Sequence, residues 1–392
     1  MSLDPAQADR DNVAIMVSDG IITAIVDAHT VPDEAITYDV TGLYALPGLI
    51  DTHIHVATPP DRAKAEKDLQ DMLLAGVTTA RSMADDLRAV AELSRRAYTQ
   101  EIASPDIVYA ALFAGPTFMQ DPRVKAVTAG LTPGDIPWMR RIDETTNLPD
   151  AVTQARGSGA TGIKIYADLT AQQVADIAAE ARRQGIPTWA HAAVYPAGPD
   201  AVAAAGVTTM SHACSLAHLL QPTMPTTYHS RELMPDRNGS RPLPDALTQT
   251  FADMKKHDTV LDATAVLFDW LEGETDKPSL CSSKLSADMT RLAAEHGVRI
   301  STGTDFKSDT DEPTLHREMR FLHEAVGLTQ DEVWIAATRT GAEIVGQGDR
   351  LGVIASDYLA NMLFFEEDPT ADLDALDTLS LVVKRGEITR IE

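Results

Sequence analysis

The sequence predicts an α/β protein: a (β/α)8 TIM barrel with a small β-sandwich domain formed by both termini. Three features indicate this fold. A glycine-led strand pattern recurs between helical runs, β-rich runs stand near both ends of the chain, and no glycine-rich dinucleotide loop follows the first barrel strand. The missing loop disfavours a doubly wound open sheet. The 392 residues suffice for a domain of about 250–300 residues and a smaller one.

The small domain is predicted from β-rich runs near the two chain ends. Val13–Ile25 holds two such runs separated by Asp19-Gly20, a dipeptide typical of hairpin turns. Leu359–Glu366 and Leu379–Ile391 are also β-rich, and a glycine turn again interrupts the second. The predicted domains are residues 1–46 with 352–392 for the β-domain and residues 47–351 for the barrel.

The barrel strands are predicted from a repeated pattern. In each copy a helical run ends in glycine, a short β-rich run follows, and polar residues stand at its far end. The copies begin at Gly76, Gly162, Gly185, Gly206 and Gly297. Strands that alternate with helices form a parallel sheet, and in a barrel the carboxyl ends of the strands carry the function.

Helices and loops complete the predicted barrel. Two helices begin with a capping box, in which a Thr and a Gln or Glu three residues later bond to each other's backbone. They are Ala171–Gln184 with Thr170 and Gln173, and Asp331–Val345 with Thr329 and Glu332. Residues 213–245 and 266–285 are rich in Pro, Ser, Thr and charge. We expect long loops at the active-site mouth there, with disordered insertions as the alternative.

Composition limits the partners. The net charge of −25 argues against nucleic acids and anionic membranes as partners. It says little about the substrate, which we expect to be a small molecule, because local fields in a cleft can oppose the net charge. No stretch approaches the roughly 18 apolar residues of a membrane span. Two cysteines, Cys214 and Cys281, are too few for a disulfide scaffold, and we expect each to be a small buried hydrophobic residue. We expect a cytoplasmic protein and leave open a removed N-terminal leader.

Two histidines close the segment Leu46-Pro-Gly-Leu-Ile-Asp-Thr-His53-Ile-His55. On a strand, residues i and i+2 point to the same face, so His53 and His55 present two imidazoles side by side. Such a pair suits one borderline-soft metal ion, although an ordinary surface or core pair is the alternative.

Further ligand-type residues stand at later strand ends. Lys164 lies inside Gly-Ile-Lys-Ile-Tyr, and His191, His212 and Asp305 end three other runs. A buried lysine amine is costly to charge, and when neutral it can take up carbon dioxide to become a carbamate ligand. The alternatives are a snorkelling or paired Lys164, hydrogen-bonded core histidines, and Asp305 as the N-cap of a helix over Glu312–Ala325.

Taken together, these motifs resemble the amidohydrolase superfamily, in the branch of imidazolonepropionase-like and Xaa-Pro dipeptidase-like proteins. The shared motifs are Pro-Gly-Leu-Ile-Asp-Thr-His-Ile-His, Gly-Ile-Lys-Ile, Ala-His-Ala, Ser-His-Ala and Gly-Thr-Asp, and the resemblance spans essentially the whole chain. It also implies a possible homo-oligomer.

The resemblance implies two divalent metal ions, usually zinc. The implied ligands are His53, His55 and Asp305 for one ion, His191 and His212 for the other, and carboxylated Lys164 with a hydroxide as bridges. The two cations would make hydroxide available near neutral pH and polarise the scissile carbonyl. Asp305 would accept the proton during attack and pass it to the leaving group.

Two departures bear on the substrate. The region Ala110–Asp121 lacks the Gly-Gly-His-Gly type of loop found in many carboxypeptidase-like relatives, and Ala-Ala-Val-Tyr after His191 counts against a deaminase. The candidate substrate contacts are Tyr166, Arg81, Tyr228 and His229. For Arg81, pairing with Asp85 or Asp86 is the alternative. His316 resembles a family histidine that supports the site or the fold.

We therefore predict a binuclear metal-dependent amidohydrolase that cleaves an amide or peptide-like C–N bond, as in an N-acyl amino acid or dipeptide. The alternatives are a lactonase, a carbamate or phosphoester hydrolase on the same site, a mononuclear deaminase, and a barrel that binds without catalysis.

Overall fold

The computed structural model of the protein describes residues 10–234, 236, 242–274, 280–305 and 312–390. Its strands are β1 Val13–Ser18, β2 Ile21–Asp27, β3 Tyr44–Pro47, β4 Leu49–Ile54, β5 Val77–Ser82, β6 Asp106–Ala114, β7 Asp135–Ile136, β8 Met139–Arg141, β9 Gly162–Ile165, β10 Thr188–His191, β11 Thr209–Ser211, β12 Val260–Asp262, β13 Ile300–Ser301, β14 Met362–Phe365, β15 Leu379–Lys384 and β16 Glu387–Arg390.

The helices occupy the connections between the strands. They are α1 Arg62–Leu74, α2 Leu87–Tyr98, α3 Pro122–Val127, α4 Leu148–Gly157, α5 Ala171–Arg183, α6 Pro199–Ala204, α7 Asp245–His257, α8 Ala265–Glu274, α9 Ser283–Glu295, α10 Thr314–Phe321, α11 Gln330–Ile335 and α12 Gly341–Ile344. Two π-helical turns, Leu322–Val326 and Ala336–Thr340, continue α10 and link α11 to α12.

Eight parallel strands form the predicted barrel, in the order β4-β5-β6-β9-β10-β11-β12-β13. Its first and last strands meet through two backbone hydrogen bonds: Thr52 N donates to Thr302 O at 2.9 Å, and Asp305 N donates to His53 O at 2.7 Å. These bonds bring the strand ends that carry the predicted ligands to one rim.

An antiparallel sheet joins segments from both ends of the chain, as predicted. Its order is β16-β15-β14-β3. The β1–β2 hairpin turns at Asp19 and Gly20, both at positive φ, as the Asp-Gly signal indicates. This hairpin is attached to the segment before β14 by backbone hydrogen bonds. Ile22 N donates to Tyr358 O, Asp357 N donates to Ile22 O, and Ile21 forms a β-bridge with Leu359.

Both predicted capping boxes are present, at Thr170 with Gln173 and at Thr329 with Glu332. Asp305 is not the N-cap of the following helix, because α10 begins at Thr314.

The prediction of a loop over residues 266–285 is wrong. α8 covers Ala265–Glu274 and α9 starts at Ser283, while residues 275–279 lie outside the described part of the chain. The polar composition misled the prediction because the start of α8 packs in the interior, where Glu318 accepts its first free N–H groups. Of the predicted loop 213–245, the described residues hold only short 3-10 turns before α7.

The two cysteines are buried, as expected, but they act as a covalent link rather than as separate small hydrophobic residues. Cys214 and Cys281 are fully buried and form a disulfide across 67 residues of sequence. The bond joins the segment after β11 to the start of α9. No described helix is both long and apolar enough to cross a membrane.

Candidate metal centre and active site

The predicted ligands converge on the rim where the barrel strands end. His53 lies in β4, Lys164 in β9 and His191 at the end of β10, while His55, His212 and Asp305 follow β4, β11 and β13. His212 and Asp305 have positive φ values of 71° and 48°. Non-glycine residues adopt this conformation at a cost, and such strain is commonly found where side chains must be aimed at a site.

The donor atoms of these side chains face one another. Asp305 Oδ1 lies 3.1 Å from His55 Nε2 and 3.6 Å from His53 Nε2. His212 Nδ1 lies 3.7 Å from Asp305 Oδ2, and His212 Nε2 lies 3.1 Å from His191 Nε2. Ligand atoms of His53, His212 and Asp305 all lie within 4.8 Å of one another. Four imidazoles and a carboxylate in this arrangement form a donor set that suits zinc.

Burial keeps most of these groups ready to coordinate. It holds the pKa of His191 well below its usual value and lowers the pKa of His212 to about 3. Both imidazoles are therefore neutral at pH 7, as metal coordination requires. Against the effect of burial, hydrogen bonds to Asp305 and Asp85 raise the pKa of His55 to about 9, so a cation arriving there would displace a proton.

Lys164 has an unusual environment. Its side chain is fully buried, and its Nζ has no hydrogen-bond partner among the residues that the structure describes. Burial lowers the pKa of the amine to about 7. A buried polar atom without a partner is costly, so this amine fits a role that requires another group beside it. A neutral amine at this place is the form that could take up carbon dioxide and become the carbamate ligand that the family resemblance implies.

An aromatic wall stands beside the ligands. The ring of Tyr166 is 4.2 Å from that of His191, between centroids, and 4.5 Å from that of Phe118. Tyr228 lies 5.7 Å from Tyr166 and 6.3 Å from His191. Of the candidate substrate residues, Tyr166 and Tyr228 are therefore brought next to the donor set.

Two arginines flank this wall. Arg123 Nη1 donates to the Tyr166 hydroxyl at 3.3 Å, and its guanidinium carbon lies 5.2 Å from the Tyr228 ring centroid. The guanidinium carbon of Arg231 lies 3.4 Å from the same centroid, and its Nε donates to the Tyr228 carbonyl at 2.6 Å. These contacts place two permanent positive charges at the edge of the site.

Three candidate residues occupy other places. Arg81 is fully buried inside the barrel and pairs with Asp262 at 3.0 Å, rather than with Asp85 or Asp86. His229 is exposed, with its Nε2 at 3.6 Å from Asp121 Oδ2. His316 donates from Nε2 to the Ala75 carbonyl at 2.8 Å, against the barrel wall.

Sequence reasoning missed Arg123, Arg231 and Asp262. The two arginines lie in the connections after β6 and β11. The lengths of such loops follow no period, so no sequence pattern marks these residues. Asp262 ends β12, which has only three residues and lacks the glycine lead of the other predicted strands. The run Thr259-Val-Leu-Asp262 was a signal that could have identified that strand.

Comparisons with known proteins bear on the family and on the fold. The sequence model of the amidohydrolase family matches residues 44–389. Among curated proteins, a dihydroorotase of Citrifermentans bemidjiense is 32% identical over 57 residues. That match covers 14% of this chain and only 13% of the dihydroorotase.

Solved structures share the whole architecture. A Xaa-Pro dipeptidase with methionine bound in its active site matches with a TM-score of 0.73 and 19% identity, over 97% of this chain and 95% of that chain. The ochratoxinase of A. niger matches with a TM-score of 0.74 and 19% identity, over 100% of this chain and 94% of that one. At these identities the likeness shows a common fold.

Proposed function

We propose, from the fact that this chain belongs to the amidohydrolase family, that it is a binuclear metal-dependent hydrolase of C–N bonds in small molecules that carry a carboxylate. N-acyl amino acids and dipeptides are the substrate class. The observation that carries the proposal is the buried Lys164 amine, which has no hydrogen-bond partner within the described part of the chain, at the rim where four histidines and Asp305 converge.

We propose the division of these residues between two zinc ions that the family resemblance implies. His53, His55 and Asp305 would hold one ion, and His191 and His212 the other. Lys164, carboxylated on its amine, would bridge them. When bound, the two cations supply Lewis acidity, which makes a water nucleophilic near neutral pH and polarises the scissile carbonyl.

The protein's own groups carry the proton. Asp305 is ionised, because its histidine neighbours outweigh the effect of burial and hold its pKa well below the usual range. Its carboxylate accepts the proton of the attacking water and returns it to the leaving nitrogen. Tyr166 and Tyr228 cover the side of the site near His191, where they limit the access of bulk water and orient the substrate.

The two arginines support a carboxylate on the substrate. Both guanidinium groups border the same ring, that of Tyr228, in a chain whose net charge is −25. The side chain of Arg123 is 49% exposed. Its Nε and Nη2 donate to Asp121, so Nη1, at 3.3 Å from the Tyr166 hydroxyl, is the group that we propose for the substrate. A charge-assisted hydrogen bond from a guanidinium N–H to a carboxylate is stronger than one between neutral groups. Recognition of an anionic group therefore does not require the histidine loop that residues 110–121 lack.

The first experiment measures metal content per chain. Protein is expressed with added zinc and bicarbonate, and wild type is compared with Lys164→Ala. We expect close to two metals in wild type and one or fewer in the variant. About one metal in both proteins would contradict the bridging role of Lys164 and favour a mononuclear enzyme.

A substrate panel tests the C–N bond and the carboxylate. N-acyl amino acids and dipeptides are compared with their C-terminal amides, and with lactones, carbamates and phosphoesters. We expect kcat/KM to be at least about tenfold higher for the free carboxylates than for the amides, as a single charge-assisted contact provides. Turnover confined to lactones or phosphoesters would overturn the proposed reaction.

A further inference from the structure

We infer that Asp262 is a positioning residue of the metal centre: it fixes the tautomer of His53 so that Nε2 presents its lone pair to the metal. The inference rests on the proposed metal-dependent function. Asp262 ends β12, 209 residues after His53 in the sequence, and its side chain is fully buried. Its Oδ2 lies 2.8 Å from His53 Nδ1.

The carboxylate accepts from four side chains inside the barrel. Thr52 Oγ1 donates to Oδ1 at 2.8 Å. Ser211 Oγ and Arg81 Nη2 donate to Oδ2 at 2.8 and 3.0 Å. An ionised carboxylate only accepts hydrogen bonds, so the proton of a neutral His53 must lie on Nδ1. Nε2, which faces Asp305 Oδ1 at 3.6 Å, then carries the lone pair.

The surrounding barrel is built to keep Asp262 in this place. A Cβ at Gly303 would lie 2.1 Å from Asp262 Oδ1, so only glycine leaves room for the carboxylate there. Arg81 is held in turn by the Trp189 ring, whose centroid lies 4.7 Å from the guanidinium carbon. The Asp262 carboxylate therefore has a fixed position and a compensated charge, as an orienting partner of a metal-binding histidine requires.

The test compares two double variants that both remove the buried ion pair. In Arg81→Met with Asp262→Asn, an amide oxygen still accepts from His53 Nδ1. In Arg81→Met with Asp262→Leu, no acceptor faces the imidazole. Neither variant leaves an unpaired buried charge, and such apolar replacements are often tolerated. Zinc affinity is measured on metal-free protein by competition with a chromophoric chelator.

We expect the leucine variant to bind zinc about 10–100-fold more weakly than the asparagine variant, as loss of an orienting partner does at other metal sites. Ser211→Ala, which removes a different donor to the same oxygen, should change the affinity less than about threefold, because the imidazole bond stays. Equal zinc affinities in the two folded double variants would overturn the inference.

A second measurement needs neither the double variants nor metal. A histidine ¹⁵N–¹H correlation spectrum of metal-free wild type, with the His53 signals assigned by their loss in His53→Gln, should show the His53 proton on Nδ1. A proton on Nε2 would overturn the inference. Wild type that binds no zinc would instead overturn the proposed function, so the two failures are distinguishable.

Discussion

At the residue scale, the proposed carboxylate recognition depends on Arg123. Its guanidinium bonds to Tyr166 and to Asp121, at 3.3 and 2.9 Å, and stays partly exposed beside the ring of Tyr228. We expect Arg123→Met to raise KM for an N-acyl amino acid about tenfold or more and to leave kcat within a few-fold, because it removes binding common to ground and transition states.

The matched control is Arg88→Met. Arg88 pairs with Asp86 in the same two-residue arrangement, but on the helix after β5. Steady-state kinetics on the acid and on its C-terminal amide separate the two explanations. An equal rise of KM for both substrates in Arg123→Met would contradict a carboxylate contact.

Glu318 connects a single buried carboxyl to the pH dependence of stability. Burial raises its pKa to about 8, although two backbone N–H groups, of Ala265 and Val266, donate to it. The folded pKa lies above the unfolded value of 4.5, so the folded protein holds the proton of Glu318 more tightly than the unfolded chain. The stability that this protonated carboxyl contributes is fully present below pH 4.5 and is lost as pH rises toward 8. Between these values the free energy of unfolding falls by about 1.4 kcal/mol per pH unit.

Glu318→Gln should therefore be more stable than wild type at pH 8–9, by a margin that shrinks toward pH 5. The measurement is chemical unfolding at several pH values on metal-free protein. Glu324→Gln, at an exposed position on the π-helical turn after α10, should follow wild type. A constant difference between Glu318→Gln and wild type across this range would contradict the raised pKa.

At the scale of elements, the loops after the strands are packed backbone against backbone. A Cβ on Gly115, just after β6, would lie 1.7 Å from the carbonyl oxygen of Asp168, just after β9. Asp168 in turn accepts from the Tyr228 N–H at 2.7 Å. The close approach at Gly115 therefore fixes the loop to which Tyr228, a proposed substrate contact, is bonded.

We expect Gly115→Ala to lower the free energy of unfolding by about 2 kcal/mol or more, since the backbone must move to admit the methyl group. Gly157→Ala is the matched control. Gly157 ends α4, and a Cβ there meets nothing within 4 Å, so the substitution should be neutral or stabilise by up to about 1 kcal/mol. Equal unfolding midpoints for the two variants would contradict the tight contact.

At the scale of the whole molecule, the Cys214–Cys281 disulfide links the segment after His212 to the start of α9. A backbone bond from Met234 N to Leu280 O, at 3.0 Å, runs alongside it. The loop that carries Tyr228 and Arg231 is thus attached at its far end to a different part of the barrel.

Replacing both cysteines by alanine should lower the free energy of unfolding by about 2–4 kcal/mol, mainly by freeing the unfolded chain. Denaturant unfolding with and without a reductant measures the effect. The double variant should be insensitive to reductant and should keep its zinc content, because neither cysteine is a metal ligand. Reductant that left the wild-type midpoint unchanged would contradict a stabilising disulfide.

The sequence by itself determined the class of fold and the types of side chain at the strand ends. Helical periodicity, capping pairs such as Thr170 with Gln173, and the glycine that leads five of the barrel strands act over a few residues, so they can be read locally. The same local order places His53 and His55 on one strand face.

Only the tertiary structure decided which distant groups meet. Arg81 points into the barrel toward Asp262, Cys214 reaches Cys281, and Arg123 and Arg231 converge on one tyrosine. Each of these pairings depends on closing the barrel and packing its loops, which adds contacts between residues far apart in sequence. Composition and periodicity record no such distances, because many chain closures are compatible with the same local pattern.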